Sequence, residues 1–175
     1  MKDLILVTGG CGYIGSHTVI KLIENDFDVI IADDLSNSTI KTIDRIENIT
    51  KVRPAFINID FKEEDKVNAL FQDFHKIAAV IHFAAHKAVG ESVQNPLMYY
   101  QNNLTGLINL LVCAQKHHVN NLIFSSSATV YGTPEILPIT EKNKTQRPFS
   151  PYGNSKKIAE EIIEDLTIAS KDFSA

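Results

Sequence analysis

The feature that most constrains the fold of this chain is a glycine-rich turn directly after a short apolar run near the N-terminus. The run Leu4–Val7 leads into Thr8–Gly15, TGGCGYIG, in which Gly9, Gly12 and Gly15 have the spacing G-x-x-G-x-x-G. Gly9 allows a tight turn, Gly12 lets a pyrophosphate approach the backbone, and Gly15 lets the next helix pack close to the strand. The free N–H groups at the start of that helix favour an anion. The turn therefore predicts a dinucleotide-binding site.

Short apolar runs alternate with longer amphipathic segments along the chain, which has no internal repeats. The pattern predicts strands at Leu4–Val7, Asp28–Ala32, Ala55–Ile57, Ala79–Phe83 and Asn121–Ser125. It predicts helices at Tyr13–Glu24, Thr39–Ile49, Glu63–His75, Leu97–His117 and Tyr152–Ser170. This alternation is typical of an α/β fold, a doubly wound parallel sheet of the Rossmann type with right-handed crossovers. The 175 residues suit a single domain, 1–175.

One segment, Tyr131–Pro151, departs from the alternation. It contains Pro134, Pro138, Pro148 and Pro151 and has no clear periodicity. A loop of this length inside a compact domain usually has a function, so we expect a functional role rather than a surface insertion.

The bulk composition argues against several classes of function. A net charge of -4 and a pI of about 5.8 give no field that would attract nucleic acid or an anionic membrane. No apolar run approaches the ~20 residues of a membrane span, and the N-terminus lacks the pattern of a signal peptide. Cys11 and Cys113 have neither disulfide nor metal-binding spacing. We therefore expect a cytoplasmic protein with no nucleic-acid or membrane partner.

The second apolar run ends at two acidic residues, Asp33 and Asp34. Asp33 lies about 20 residues beyond the glycine turn, where an acidic side chain meets the adenosine ribose of a dinucleotide. A carboxylate there accepts hydrogen bonds from both ribose hydroxyls and repels a 2′-phosphate, and no arginine follows in Leu35–Ser38. The sequence therefore predicts NAD rather than NADP. Asp34 is expected to point to the opposite face of the strand.

A tyrosine and a lysine near the C-terminus have a spacing with chemical meaning. Tyr152 and Lys156 are four residues apart and so share a face of a helix. A nearby ammonium favours the phenolate form of a tyrosine, and an oxidised nicotinamide adds positive charge. The serines Ser125–Ser127 end the fifth predicted strand and can supply a hydroxyl to a substrate oxygen. Y-x-x-x-K is common by chance, but together with the glycine turn and Asp33 it predicts a catalytic group.

Over its whole length the chain resembles the extended short-chain dehydrogenase/reductase family, and within it the UDP-glucose 4-epimerases. The stretches that carry the resemblance are Val7–Ser16 (VTGGCGYIGS), Asp33–Ser38 (DDLSNS), His82–Ser92 (HFAAHKAVGES), Gln94–Asn103 (QNPLMYYQNN), Ser125–Gly132 (SSSATVYG) and Ser150–Lys156 (SPYGNSK). The family often has asparagine where Asp34 stands here. The resemblance implies NAD as the cofactor and a UDP-sugar as the substrate.

The resemblance also implies the roles of individual residues. The pyrophosphate, ribose and adenine would be held by Gly9, Gly12, Tyr13, Ile14, Gly15, Asp33, Asn37, Ser38, Asp60 and Phe61. The nicotinamide end would be lined by Phe83, Ala84, Ala85, Lys87, Asn102, Tyr152 and Lys156. Ser127, Tyr152 and Lys156 would be catalytic, while Lys87, Ser127, Thr129 and Tyr152 would contact the substrate. His82 and His86 have no partner at metal-binding spacing, so no metal site is expected.

The implied reaction inverts C4 of the sugar in UDP-glucose or UDP-galactose. Tyr152 would take the proton of the 4-hydroxyl while NAD takes a hydride, and the resulting 4-keto sugar would be reduced on its other face. A 4,6-dehydratase would need an acidic pair after the serine, where this chain has Ala128 and Thr129. Two further alternatives are a 4-epimerase of another UDP-sugar, such as UDP-N-acetylglucosamine or UDP-xylose, and a non-catalytic NAD-binding module. The last would leave the serine, tyrosine and lysine unexplained.

Two expectations concern the whole protein. Relatives have a sixth parallel strand and a C-terminal substrate domain after the helix that carries Lys156, and we expect the chain to stop at Phe173–Ala175 before both. Without the sixth strand one edge of the sheet would be bare. Without the substrate domain we expect little turnover of the sugar nucleotide. The two long helices, Leu97–His117 and Tyr152–Ser170, are the ones that family members pack into a four-helix bundle, so we expect a homodimer.

Overall fold

The computed structural model describes residues 2–134 and 137–175, in which five parallel strands form one sheet. The strands are β1 (Leu4–Thr8), β2 (Asp28–Asp33), β3 (Ala55–Asn58), β4 (Ile77–His82) and β5 (Leu122–Phe124). Their order is β3-β2-β1-β4-β5, so the chain moves outward from β1 and then crosses to the other side. The predicted doubly wound sheet is confirmed. Its topological switch point lies between β1 and β4, where ligands bind in open α/β sheets.

Seven α-helices are present among the described residues. They are α1 (Tyr13–Glu24), α2 (Lys41–Thr50), α3 (Glu64–Asp73), α4 (Val89–Gln94), α5 (Pro96–Tyr100), α6 (Gly106–Lys116) and α7 (Pro151–Ala169). A π-helical turn, Gln101–Thr105, joins α5 to α6, so the single helix predicted over Leu97–His117 is interrupted. The sequence pattern missed α4, because six residues are too few to show a helical period. No helix in the described ranges has the length and apolar character needed to cross a membrane.

Both faces of the sheet are covered, which explains why the strands are nearly uninterrupted apolar runs. On one face, Leu6 and Ile30 are fully buried in a core that includes residues of α3, α6 and α7. On the other face, Val7 and Ile31 pack with Val19 of α1 and with residues of α2. Side chains alternate along each strand, so neighbouring residues enter different cores while the carboxyl ends of all five strands meet at one edge.

The long loop expected over Tyr131–Pro151 begins within a short 3₁₀ turn, Ala128–Tyr131. From Gly132 to Ser150 its described residues form no further helix or strand, Pro151 begins α7, and Glu135 and Ile136 lie outside the described residues. The N–H of Gln146 donates to the carbonyl of Val130 at 3.0 Å, which returns the loop towards β5. The loop therefore leads from the end of β5 to the start of α7.

A residue near the C-terminus pairs with the outer edge of the sheet beside β5. Ser174 forms a parallel bridge with Asn121; its N–H donates to the carbonyl of Asn120 at 2.8 Å and its carbonyl accepts from Leu122 at 2.9 Å. Phe173 is buried in the core beside it. The edge that was expected to be bare is thus covered at this position.

Candidate active site

A cleft of about 320 Å³ opens at the carboxyl ends of the strands, at the switch point between β1 and β4. Its walls come from the glycine turn, the loops after β2, β3 and β4, the π-helical turn with the start of α6, the serines after β5 and the first turns of α7. Every residue that the sequence analysis assigned to the cofactor lines this cleft, whereas Ser127 and Thr129 do not. The fold therefore gathers residues from seven separate segments around one cavity, in the size range of small-molecule sites.

The glycine turn is held in close contact with its neighbours. Gly9 has a φ of +67°, and a Cβ there would lie 2.7 Å from the backbone nitrogen of Ala84 in the loop after β4. A Cβ on Gly15 would overlap the carbonyl oxygen of Gly9 and lie 2.9 Å from Gly10 Cα. Glycine is required at both positions, because L side chains strain the first and do not fit the second. The start of α1 consequently points its free N–H groups at the cleft.

The carboxylate of Asp33 joins the glycine turn to the loop after β2. Its Oδ2 accepts from the N–H of Cys11 at 2.9 Å, and its Oδ1 accepts from the N–H of Leu35 at 3.0 Å and from the hydroxyl of Ser38 at 2.8 Å. A carboxylate offers about four acceptor positions, so three are already in use. Asp33 therefore organises two walls of the cleft in addition to any ligand contact it makes. Burial, followed by the charge of Asp33, raises the pKa of Cys11 to about 12, so this thiol is not a nucleophile.

Two other carboxylates line the same end of the cleft. Asp34 lies there with its Oδ1 accepting from the N–H and the hydroxyl of Ser36, at 2.9 and 2.7 Å. Asp34 was expected on the opposite face of the strand, but β2 ends at Asp33 and Asp34 is an exposed residue at the border of the cleft. That Asp33 rather than Asp34 meets the ribose stays a prediction. Asp60 accepts from the N–H of Lys62 at 2.9 Å and pairs with its Nζ at 3.2 Å.

The other end of the cleft carries Tyr152 and Lys156, both on α7. Lys156 is only 4% exposed; its Nζ donates to the carbonyl of Ser125 at 2.7 Å and lies 4.5 Å from the ring centroid of Phe124. Burial lowers the pKa of Lys156 to about 8, against the opposing charge of Glu160. Tyr152 is half-buried and borders the cleft one helical turn earlier. The two side chains thus share one face of α7, as their spacing predicts.

Ser127 and Thr129 lie beside the start of α7. The Oγ of Ser127 accepts from the N–H of Thr129 at 3.3 Å and from its hydroxyl at 2.9 Å. With both acceptor positions used, the proton of Ser127 is free to be donated elsewhere. Thr129 in turn packs against α7, since a Cβ on Gly153 would lie 2.9 Å from its Oγ1. A contact between Thr129 and substrate remains a prediction.

Sequence reasoning missed His82 as part of this site. Its imidazole lines the cleft, its Nδ1 is 2.7 Å from the hydroxyl of Thr8, and it lies between the rings of Phe61 and Phe124. Burial, followed by the charge of Lys156, lowers the pKa of His82 to about 3, so it is neutral. The available signal was its position, because a polar residue that ends a buried parallel strand lies at the ligand edge of the sheet.

The cleft has further residues beyond those that the sequence analysis assigned to the cofactor. Its remaining lining residues are Ser36, Ile59, His86, Gly106, Ser125 and Ser126. Among the described residues, the hydroxyl of Ser126 is the buried side-chain polar atom that has no hydrogen-bond partner. No cluster of three His, Cys, Asp or Glu side chains able to hold a metal is found in the described part of the chain.

The comparisons with known proteins fit this geometry. The sequence model of the family described as GDP-mannose 4,6 dehydratase matches residues 6–173. The chain belongs to this family. The UDP-glucose 4-epimerase uge1 of Schizosaccharomyces pombe is 47% identical to the chain over 178 residues, covering 99% of the chain and 50% of the relative. The UDP-glucose 4-epimerase of Pasteurella multocida is 48% identical over 170 residues, covering 97% and 50%.

Solved structures of UDP-glucose 4-epimerases are also similar to this chain. A UDP-glucose 4-epimerase from Bifidobacterium longum in complex with NAD+ and UDP has a TM-score of 0.96 at 44% identity, covering 98% of this chain and 51% of its own. One from Stenotrophomonas maltophila, with bound NAD and formylated UDP-arabinopyranose, has a TM-score of 0.93 at 42% identity, covering 99% and 51%. The resemblance to UDP-glucose 4-epimerases is confirmed, and the chain spans about half the length of the curated relatives it matches.

Proposed function

We propose that this chain is the NAD-binding and catalytic part of a UDP-hexose 4-epimerase that interconverts UDP-glucose and UDP-galactose through a 4-keto sugar. The observation that carries the proposal is the cleft itself, which joins the glycine turn and Asp33 at one end to Tyr152 and Lys156 at the other. The curated relatives named as UDP-glucose 4-epimerases support it. A substrate domain would lie outside residues 1–175.

The residues of the cleft fit NAD. The absent side chain of Gly12 would let a phosphate reach the backbone, while Gly9 and Gly15 let the turn, the loop after β4 and α1 pack closely together. The N-terminus of α1 supplies N–H donors for the phosphate. Asp33 stands at the adenosine end, and the unpaired hydroxyl of Ser126 lies at the end near Lys156. Bound NAD would supply an acceptor and later a donor of the hydride at C4 of the sugar.

The side chains of α7 would handle the proton. We assign Tyr152 as the base that removes the proton of the 4-hydroxyl and later returns it. Lys156, held by the carbonyl of Ser125, would stabilise the phenolate form of Tyr152 and bind the nicotinamide ribose. Ser127, whose acceptor positions are filled by Thr129, would donate its proton to the sugar oxygen and so orient it.

The arrangement favours epimerisation over the dehydration that the family description names. Elimination of water needs an acid–base pair beside the sugar, but Ala128 has no polar side chain and the hydroxyl of Thr129 donates to Ser127. The acidic residues that line the cleft lie at the opposite end from α7: Asp33 ends β2, Asp34 follows it and Asp60 follows β3.

A second candidate substrate is UDP-N-acetylglucosamine. A UDP-Glc/GlcNAc 4-epimerase from Campylobacter jejuni has a TM-score of 0.92 at 36% identity to this chain, covering 98% of it and 51% of its own. The sugar pocket would be built largely by the part of the protein beyond these residues, so competition between the two UDP-sugars decides between them.

We further propose a cytoplasmic homodimer. Cys11 and Cys113 are unpaired thiols, which suits a reducing compartment. Large apolar side chains are exposed on α5 and α6, with Leu97 80% exposed and Ile108 and Val112 nearly half exposed. Such a stripe favours burial against a second copy. Light scattering should give twice the chain mass, and a monomer would contradict the dimer.

Two measurements test the function. The chain should bind NAD, as followed by calorimetry. Joined to the C-terminal half of the S. pombe relative, it should convert UDP-galactose to UDP-glucose, and Tyr152→Phe should abolish conversion while NAD binding persists. Failure to bind NAD, or full activity of the Tyr152→Phe variant, would overturn the proposal. A 4-keto-6-deoxy product would identify a dehydratase instead.

A further inference from the structure

Ser155 is a fully buried serine between the two proposed catalytic residues of α7. It is 0% exposed, does not line the cleft and directly precedes Lys156. Its hydroxyl donates to the carbonyl of Tyr152 at 2.7 Å and accepts from Nδ2 of Asn103 at 3.0 Å. One hydroxyl thus connects the first turn of α7 to the π-helical turn 101–105, 52 residues away in sequence.

Asn103 extends this connection to the loop after β4. Its Oδ1 accepts from the N–H of His86 at 2.8 Å, and its Nδ2 also donates to the carbonyl of His86 at 3.1 Å. The loop fixed in this way carries Ala85 and Lys87, which line the cleft. Ser155 and Asn103 together therefore link two walls of the cleft from behind, without touching its interior.

A second attachment holds the same turn of α7 from the front. The Nζ of Lys156 donates to the carbonyl of Ser125 and lies over the ring of Phe124. Two anchors on consecutive residues leave the turn little freedom to slide or rotate. The rear anchor is a buried hydrogen-bond network. Its geometry is tightly constrained, because any buried donor or acceptor that lost its partner would reduce the stability of the fold.

We propose that Ser155 is a positioning residue, whose hydroxyl sets the distance between the first turn of α7 and the loop after β4 and so places Tyr152 and Lys156 against the cofactor and sugar. The positioning role rests on the proposed function only in naming the cofactor and the sugar as the ligands. Removing the hydroxyl frees the carbonyl of Tyr152 and leaves one buried N–H of Asn103 without a partner, so the turn relaxes outward. Lys156 then becomes less buried and the cleft less ordered.

The experiment compares Ser155→Ala with Ser92→Ala in the chain. Like Ser155, Ser92 is 0% exposed and does not line the cleft, and its hydroxyl also donates to a backbone carbonyl three residues earlier, that of Val89 at 2.6 Å. Lysine ¹³Cε NMR, assigned with Lys156→Met, follows the titration of Lys156 without any ligand. Calorimetry follows NAD affinity, and thermal denaturation follows stability.

Ser155→Ala should raise the pKa of Lys156 from about 8 towards 10.5 and weaken NAD binding about tenfold. Ser92→Ala should lower stability alone. If Ser155→Ala changes only stability, as the control does, the positioning role is refuted. If Ser155→Ala does not fold, Ser155→Cys, which keeps the volume and weakens the hydrogen bonds, is judged on the same two readouts. Failure of the parent chain to bind NAD would count against the proposed function, while the Lys156 titration still decides the role of Ser155.

Discussion

Replacing Gly15 by alanine should damage both the fold and the proposed cofactor site. Gly15 lies in the first turn of α1 and faces the glycine turn. A Cβ there would overlap the carbonyl oxygen of Gly9 and lie 2.9 Å from Gly10 Cα and 3.0 Å from the carbonyl carbon of Gly9. All three contacts are with backbone, so no change of side-chain rotamer relieves them. Either α1 or the turn must move by roughly 1 Å.

The size of the effect follows from two opposing terms. Overpacking of a tight contact costs about 1–3 kcal/mol, whereas alanine gains up to about 1 kcal/mol over glycine inside a helix. The difference spans about 0–3 kcal/mol, and its middle, about 1–2 kcal/mol, corresponds to a decrease of roughly 2–8 °C in Tm for a domain of this size. A displacement of about 1 Å in the N–H groups that face the phosphates should also weaken NAD binding at least tenfold.

Gly90 provides the matched control. It lies in α4, and a Cβ there would meet nothing within 4 Å. Gly90→Ala should therefore leave NAD affinity unchanged and preserve or slightly raise the Tm. Calorimetry and thermal denaturation of both variants decide the matter. Wild-type affinity and an unchanged Tm for Gly15→Ala would refute the reasoning.

Three further predictions concern charge and completeness. The chain should prefer NAD to NADP, because Asp33 would face the 2′-phosphate at a cost of a few kcal/mol; equal affinity in a titration of both cofactors would remove this role of Asp33. Lys156 has a pKa of about 8 when folded against 10.5 in the unfolded state, so the unfolded chain binds more protons between these values. The free energy of unfolding should accordingly rise by about 3 kcal/mol from pH 8 to 10.5 relative to that of Lys156→Met. Denaturant unfolding at the two pH values measures this, and an equal change in the two proteins would contradict it. Residues 1–175 alone should turn over UDP-sugar at least 1000-fold more slowly than when joined to a C-terminal half, because about 7–11 kcal/mol of a barrier depends on positioning; comparable rates would disprove this.

Local spacing and periodicity were sufficient to predict the sheet, the glycine turn, Asp33 and the pair Tyr152 and Lys156, whereas the other cofactor residues were implied by the resemblance to the family. The apolar runs have the length and composition of strands buried on both faces, so the parallel sheet follows from them. The glycine turn and Asp33 lie within about 25 residues of each other and around consecutive strands, so their meeting at one edge follows from the topology. Tyr152 and Lys156 share a face because a helix repeats every 3.6 residues.

The remaining features depend on how distant segments pack, and no local pattern encodes them. His82 meets Thr8 across 74 residues, and Asn103 meets Ser155 across 52. The break in the predicted helix 97–117 is a π-helical turn, and Asn102 on the cleft side and Asn103 behind it both belong to that turn. The sequence by itself therefore determined the class of fold and the types of residue around the cleft. Tertiary packing decided which polar groups pair with each other, because a buried hydrogen bond forms only where two whole elements approach within about 3 Å.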